Sequence, residues 1–299
     1  MVINFLKYKK FYFVLTGILI LASLFVILKF GLNWGIDFTG GTILEVVYQD
    51  ERPSNAKVRE LLQGLDLGDF SLQPADEKGL ILRMKEVSEE THQEIMKKLS
   101  ENGQVKLDEL RFESIGPVIG QELKEKTKLV TILSLLALLV YIAIAFRKVN
   151  YPAKSWQYGL VTLLCLTHDL LIPLGIFAVL GNFYGVQITI PIIVALLTIL
   201  GYSINNIVVV FDRIRELLLR RVAKTYEETV NLALNQTLTR CLNTSLTTLF
   251  VLLALFFLGG ETLKYFALML ILGISFGTYS ALLLAGPLMV FWLKRLKRI

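Results

Sequence analysis

The chain of 299 residues has few of the side chains that most enzymes use for chemistry, with two cysteines, two histidines and 19% charged residues. It has no catalytic triad, no glycine-rich phosphate loop and no spacing of cysteine or histidine that fits a metal site. Cys165 and Cys241 fall in or at the edge of apolar runs, which argues against a disulfide and predicts inert buried thiols. We therefore expect a chain that is not an enzyme and that holds neither a cofactor nor a metal.

Long apolar runs are what the sequence has in abundance, and 54% of its residues are hydrophobic. Each of six runs is long enough for the roughly 30 Å hydrocarbon core of a bilayer, at about 1.5 Å rise per helical residue. The pattern predicts an α-helical polytopic membrane protein with six transmembrane helices. The predicted spans are residues 11–28, 129–146, 158–181, 188–211, 241–260 and 265–293.

The net charge of +6 comes from basic clusters beside the apolar runs, at residues 7–10, 147–148, 212–224 and 294–298. All four clusters fall on one side if the spans alternate, so the positive-inside rule places both termini in the cytoplasm. Because topology explains the charge, we expect no nucleic-acid partner. The predicted regions are 1–29, the cytoplasmic N-terminus and first span; 30–127, an extracytoplasmic domain; and 128–299, the remaining five spans.

The polar segment 42–117 alternates between strand-like and helix-like patterns. The order βαββαβ indicates a ferredoxin-like α+β domain, inserted after the first span. His92 falls among glutamates on a polar helix face, so we expect it to be solvated. We interpret this domain as a binding or mechanical module. Its predicted strands are 42–48, 70–73, 79–87 and 105–115, and its predicted helices are 53–65 and 88–102.

Ionisable and amide side chains inside the spans are candidates for proton or ion coupling, because such groups are costly in a bilayer and usually face a cavity or a partner. Arg240 has an alternative role in snorkelling to the interface, and Asn205 and Asn206 have one in hydrogen bonding between helices. Asn206 and Arg240 are both predicted to lie in the cytoplasmic third of their spans, a depth at which they could meet. The full set of candidates is His168, Asp169, Ser203, Asn205, Asn206 and Arg240.

The segment between the fourth and fifth spans has an amphipathic pattern. Ile214, Leu217, Leu218 and Val222 would share one face of a helix, with basic residues on the other. This predicts a cytoplasmic interfacial helix near 212–239 that binds anionic lipid.

Five groups of motifs occur in an order that has a known counterpart. They are Gly35-Ile-Asp37-Phe-Thr-Gly40-Gly41, Glu113-Ser-Ile-Gly116-Pro117-Val-Ile-Gly120, His168-Asp169, Gly201-Tyr-Ser203-Ile-Asn205-Asn206, and Asn235-Gln-Thr-Leu-Thr-Arg240 with Asn243-Thr-Ser. The set resembles the SecF family of bacterial protein-export membrane proteins, which belongs to the SecD/SecF family and the resistance-nodulation-division (RND) superfamily.

The resemblance implies a half-unit of the RND architecture that pairs with a SecD-like six-span subunit. It also implies the SecYEG channel as a partner, YajC as a further candidate partner and unfolded preproteins as substrates on the extracytoplasmic side. Export would use the proton-motive force or another ion gradient in the bacterial inner (plasma) membrane. Gly40 and Gly41 would then form a hinge where the first span enters the external domain.

Position 206 departs from the family pattern, which typically reads Asn-Asp where this chain has Asn205-Asn206. The family's membrane Asp corresponds to Asn206, and its partner Arg corresponds to Arg240. An amide keeps the hydrogen-bonding shape of a protonated carboxyl but does not titrate. Three explanations are open: an engineered variant held in a protonated-like state, coupling through SecD and Asp169, or an Arg240 that works with another ion.

Two other functions share parts of this pattern. A half-size RND exporter of lipid or small molecules would have the same fold and would predict small-molecule efflux. A non-transporting scaffold of the translocon would make a contribution to export that does not depend on the proton gradient.

Overall fold

Residues 3–75, 77–145 and 153–296 are described by the computed structural model, in which the chain divides into two units. Met1–Asn33 and Val130–Ile299 form the helical unit, and Trp34–Leu129 forms the sheet unit. The described residues contain ten α-helices: α1 Lys9–Phe30, α2 Ile36–Thr39, α3 Asn55–Leu61, α4 Glu89–Leu99, α5 Pro117–Ala145, α6 Ser155–Tyr184, α7 Ile190–Leu219, α8 Tyr226–Leu258, α9 Glu261–Ser280 and α10 Gly286–Arg295. A π-helix, Ala281–Ala285, joins α9 to α10.

Five helices in the described part of the chain are long and apolar enough to cross a membrane. They are Phe5–Phe30, Ser155–Tyr184, Ile190–Leu219, Tyr226–Leu258 and Leu263–Arg295. The span predicted at 129–146 falls on α5, which is not among these five, and Phe146 and the basic pair after it lie outside the described residues. A sixth span therefore stays a prediction.

The first span packs along α6 and is apolar on every side, as expected of a helix whose solvent is lipid. Many of its large side chains are exposed, with Leu28 at 84%, whereas Tyr12 and Phe13 pack against the helical core. The two helices touch closely at Ser23 and Gly175, where a Cβ added to Gly175 would lie 2.6 Å from the Cβ of Ser23. A small residue at this contact is what allows the two backbones to approach.

The predicted separate amphipathic helix near 212–239 is wrong. Residues 212–219 are the end of α7, and residues 226–239 are the beginning of α8. Ile214 and Leu217 continue the buried face of α7 and pack into the helical core, whereas Val222 is 53% exposed. The chain then turns at Arg221, which has a φ of +51°, and Thr225 and Glu228 cap α8 reciprocally.

Both ends of the helical unit contact the first turns of α8. The backbone N–H of Phe5 donates to the side chain of Asn231 over 2.9 Å. Glu227 binds Lys9 at 3.3 Å and Lys294 at 2.9 Å. The N-terminal segment and the end of α10 therefore lie at the same end of the helical bundle.

The sheet unit has four antiparallel strands in the order β2-β3-β1-β4. The strands are β1 Gly41–Tyr48, β2 Ser71–Ala75, β3 Gly79–Met84 and β4 Leu107–Ile115. α3 follows β1, and α4 connects β3 to β4, so the elements follow one another as βαββαβ. Leu44 and Leu82 of the sheet are fully buried against Val58 of α3 and Ile95 of α4, which places the core between the sheet and these two helices.

The prediction that His92 is solvated is wrong, because its exposed fraction is only 8%. Its Nδ1 lies 3.2 Å from Glu89, its Nε2 lies 2.9 Å from Glu109, and its ring stacks on Phe112 with centroids 3.8 Å apart. A bulge in the β1–β4 pairing after Glu45 brings Glu109 and Phe112 to the helix-covered face together. Without the bulge, the strict alternation of a strand would place these two residues on opposite faces.

Glycines from two motifs pack closely together at one turn in the sheet unit. Gly40 and Gly41 have φ values of +74° and +127°, and they turn the chain from α2 into β1. A Cβ on Gly40 would lie 2.7 Å from the Cα of Pro117, and one on Gly120 would lie 2.8 Å from the backbone nitrogen of Gly40. These residues pack against one another without room for a methyl group, and their role as a hinge stays a prediction.

We expect Gly120→Ala to destabilise the sheet unit by about 1–3 kcal/mol, because the new methyl would meet backbone atoms that have no side-chain freedom. Gly116→Ala is the matched control, since its Cβ would lie 3.4 Å from a carboxylate oxygen of Glu86, the far end of a flexible side chain. Thermal unfolding of the two variants measures the difference. Equal unfolding temperatures would contradict the packing argument.

Candidate functional site

The carboxylate of Asp169 in α6 is completely buried and has three hydrogen-bonding partners. The hydroxyls of Ser203 in α7 and Ser280 in α9 both donate to Oδ2, the second over 2.8 Å. Nδ1 of His168 lies 2.7 Å from Oδ1. A carboxylate inside a membrane span is costly, and these contacts from three helices offset that cost.

Pro173 adds a second irregularity at the same place in α6. It lies four residues after Asp169, and proline has no N–H. The backbone carbonyl of Asp169 therefore lacks the donor that an uninterrupted helix would supply. A buried polar side chain and a missing main-chain hydrogen bond therefore occur at the same residue of α6.

Glycines in α9 allow α7 and α9 to approach closely enough to reach Asp169. Gly273 faces Ile199, and a Cβ on Gly277 would lie 2.5 Å from the Oγ of Ser203. The two glycines are four residues apart and share one face of α9, which is the small-residue spacing typical of close helix pairs in membranes. Ser280 is the last residue of α9 before the π-helix, and π-helical turns are frequent at functional sites.

His168 is 1% exposed and is held on several sides. Its ring stacks on Tyr279 with centroids 5.7 Å apart and meets Phe276 edge-on at 5.9 Å. Its Nε2 is buried and has no hydrogen-bond partner within the part of the chain that the structure describes.

Asn206 belongs to a second polar layer, one turn further along α7. Its side-chain N–H donates to Ser245 of α8 over 3.4 Å, and the hydroxyls of Ser245 and Thr278 lie 2.6 Å apart. Thr278 donates its proton to the carbonyl of Ile274, so Ser245 must donate to Thr278. Both hydroxyls and one N–H of the amide donate within this layer, and the layer carries no charge.

The structure does not bring Arg240 to Asn206. Arg240 and Asn205 are both exposed, whereas Asn206 is 2% exposed and binds Ser245. Five residues separate Arg240 from Ser245, which turns their side chains about 140° apart on a helix with roughly 3.6 residues per turn. Asn206 and Arg240, whose predicted depths would allow them to meet, therefore do not meet within this chain.

The candidate site thus joins three of the predicted residues, His168, Asp169 and Ser203, to residues that the sequence analysis did not single out. One pattern in the sequence could have identified the missed residues. Three consecutive residues with hydroxyl groups come directly after the second glycine of a Gly-x-x-x-Gly spacing in α9. The missed residues are Thr278, Tyr279 and Ser280. The motif residues Gly35, Asp37, Gly40, Gly41, Gly116, Pro117 and Gly120 all lie in the sheet unit.

Comparison with known proteins decides the family. Residues 94–295 match the family described as Protein export membrane protein SecD/SecF, C-terminal, and residues 25–51 match the SecD/SecF GG motif. The chain is 36% identical over 300 residues to the Protein translocase subunit SecF of Thermobaculum terrenum, which covers 97% of this chain and 94% of that protein. The chain belongs to the SecD/SecF family. The Protein translocase subunit SecF of Synechocystis is 33% identical over 98% of this chain and 95% of that protein.

Solved structures of SecDF are similar along almost the whole SecD/SecF-family chain. The crystal structure of SecDF from Thermus thermophilus, described as a translocon-associated membrane protein, has a TM-score of 0.84 and 33% identity. SecDF in a super-membrane-facing form has a TM-score of 0.70 and 34% identity. Each match covers 99% of this chain and 39% of the SecDF chain, so this chain spans about two fifths of that protein.

We expect Ser280→Ala to lower the free energy of unfolding of this SecD/SecF-family chain by about 1.5–3 kcal/mol, because it removes a hydrogen bond to a buried charged group. Ser275→Ala is the control, since Ser275 is exposed on the same helix. Unfolding in detergent, followed by circular dichroism, measures both. The site assignment is contradicted if Ser280→Ala costs no more than Ser275→Ala.

Proposed function

We propose that this SecD/SecF-family chain pairs with a SecD-type subunit and couples a proton gradient to the export of unfolded preproteins through SecYEG. The observation that carries the proposal is the buried carboxylate of Asp169, tied by hydrogen bonds to two further helices. A titratable group at such a position links the binding of a proton to the packing of helices. Relatives named as translocase subunits support protein export as the output.

Asp169 is the group in this chain that we assign to coupling, because Asn206 has an amide in place of the family's carboxylate. The amide is buried in a neutral layer and does not change its charge with pH. Of the explanations for position 206, this favours coupling through Asp169 and the partner subunit.

The SecD-type partner is supported by an exposed polar face on the spans. Arg240, Asn243 and Thr247 of α8 are exposed, as is Asn205 of α7. A cation inside a bilayer is usually paired with a carboxylate. We assign this face to the partner, which would supply an acidic group for Arg240 and complete the membrane site.

The proposed orientation is supported by the charge pattern and by the location of the N-terminal segment and α10. The N-terminal segment and the end of α10 meet at Glu227, at one end of the bundle and among basic residues. The positive-inside rule then favours a cytoplasmic location for both, next to anionic lipid of the inner membrane. The sheet unit would lie on the extracytoplasmic side, with α5 as the sixth span. YajC is a further candidate partner.

In the unsubstituted complex, an uncoupler should remove the part of preprotein export that depends on the proton gradient. We expect Asp169→Asn to abolish this part. The amide keeps the shape of the carboxyl but loses the titration. Export into membrane vesicles that contain the full complex, with and without uncoupler, measures this part. Ser275→Ala is the control and should keep it.

Two outcomes would contradict the proposal. If export by Asp169→Asn stays as sensitive to the uncoupler as export by Ser275→Ala, coupling does not depend on Asp169. If export without this chain is equally sensitive, the chain is a scaffold. Efflux of small molecules from vesicles that contain this chain and its partner would instead favour an RND exporter.

We expect the Asn243→Cys variant to cross-link to the SecD-type partner, because Asn243 lies on the exposed polar face beside Arg240. Leu21→Cys is the control, since Leu21 is 68% exposed on the apolar first span. Cross-linking in native membranes, followed by mass spectrometry, identifies the attached chain. A partner that attaches to the Leu21→Cys variant but not to the Asn243→Cys variant would overturn the assignment of the interface.

A further inference from the structure

The two oxygens of the Asp169 carboxylate have different surroundings. Oδ2 accepts hydrogen bonds from the hydroxyls of both Ser203 and Ser280. Oδ1 is approached by Nδ1 of His168, at 2.7 Å. Since two donors already point at Oδ2, a proton that binds this carboxylate is best accommodated on Oδ1, the oxygen that faces His168.

The imidazole of His168 is oriented for transfer to that oxygen. With Asp169 ionised, Nδ1 carries the hydrogen that faces Oδ1, and Nε2 has the free lone pair. Tyr279 and Phe276 fix the plane of the ring. Nε2 has no hydrogen-bond partner among the described residues. The ring therefore has one nitrogen committed to Asp169 and one available to receive a proton.

His168 also borders a groove of about 420 Å³ between α1, α6 and α10. Most of the lining is apolar, and Thr16 of α1 contributes a hydroxyl. That hydroxyl lies 3.2 Å from the hydroxyl of Tyr279, which itself donates to the carbonyl of Tyr12. The groove is large enough for several water molecules, and Thr16 and His168 provide polar groups that could bind them. The apolar part of the lining includes Phe13, Gly17, Leu288 and Phe291.

We infer that protons reach Asp169 through His168, which takes them up from this groove. The inference rests on the proposed coupling role of Asp169. In the step, a hydronium ion in the groove gives its proton to Nε2 and leaves as water. The Nδ1–H bond then breaks as an O–H bond forms at Oδ1, so the carboxylate becomes neutral and the imidazole returns to neutral as the other tautomer. Proton exchange, in which Nε2 loses its proton and Nδ1 gains one, restores the first tautomer.

The surroundings of His168 favour this direction of transfer. In the described part of the chain, the titratable groups that face it are Asp169 and Cys165 of α6 and Tyr279 of α9. α1 and α10 face it with the uncharged residues of the groove. A proton on Nε2 is therefore balanced by the Asp169 carboxylate alone, so the imidazolium is an intermediate that passes its proton on.

The test is chemical rescue of His168→Ala in the complete complex, reconstituted into liposomes that enclose a pH-sensitive dye. We expect gradient-driven proton uptake to fall by on the order of 10²-fold, as on removal of a general acid–base group. Added imidazole should restore much of the rate, because the truncated side chain leaves space beside the groove. Pyrazole has the same ring size but is a much weaker base, so it should restore little. Imidazole should not change uptake by the unsubstituted complex.

A second variant covers the case in which His168→Ala does not assemble. His168→Asn retains an N–H that can face Asp169 but cannot relay a proton, so it should assemble and lose uptake to a similar extent. The relay is overturned if either variant keeps the unsubstituted rate, or if pyrazole rescues as well as imidazole. Asp169→Asn separates the two proposals, because uptake that does not depend on Asp169 contradicts the coupling role itself. Uptake that needs Asp169 but not His168 contradicts only the relay.

Discussion

The helical unit is organised by the cost of keeping one carboxylate inside a bundle of apolar helices. That cost is about 2.5–3.5 kcal/mol on insertion scales. Asp169 meets it with hydrogen bonds from Ser203 and Ser280, which come from two other helices. For both to reach one oxygen, α7 and α9 must pack closely against α6 and against each other. Gly277 makes this possible, because a side chain there would displace Ser203. One buried charge thus constrains the positions of three helices.

The same physical rule applies to the surface of these spans, which carries an exposed cation. A bilayer penalises an exposed cation as it penalises a buried carboxylate without partners, and Arg240 is exposed on α8. Within the described residues the chain solves this problem for Asp169 but not for Arg240. This exposed cation is the feature of the helix face on which the proposed pairing with a SecD-type subunit rests.

Apolar run length was enough to predict the long helices, and the polarity rule was enough to single out His168, Asp169 and Ser203. Which way a side chain points was not predictable, because it depends on the rotation of each helix in the bundle. Arg240 and Asn206 have similar predicted depths but face different directions. Ser280 was not singled out, because its contact with Asp169 depends on how α9 packs against α6. In the sheet unit, His92 is buried because a bulge in β4 redirects Glu109, and a strand pattern does not reveal a bulge. The amphipathic segment 212–239 was misread because Ile214 and Leu217 of its apolar stripe are covered by protein rather than by lipid.

The two polar layers on α7 differ in how they respond to a proton. The bonds from Ser203 and Ser280 end on a carboxylate, and charge-assisted hydrogen bonds are roughly twice as strong as neutral ones. Protonation of Asp169 would therefore weaken the ties from α6 to α7 and α9. The layer of Asn206, Ser245 and Thr278 is neutral at any pH and would continue to hold α7, α8 and α9 together. A proton would then loosen α6 from a block of three helices whose own packing is unchanged. Under the proposed coupling role, a titrating group at position 206 would make the contacts of this layer depend on protonation as well, and an amide avoids that.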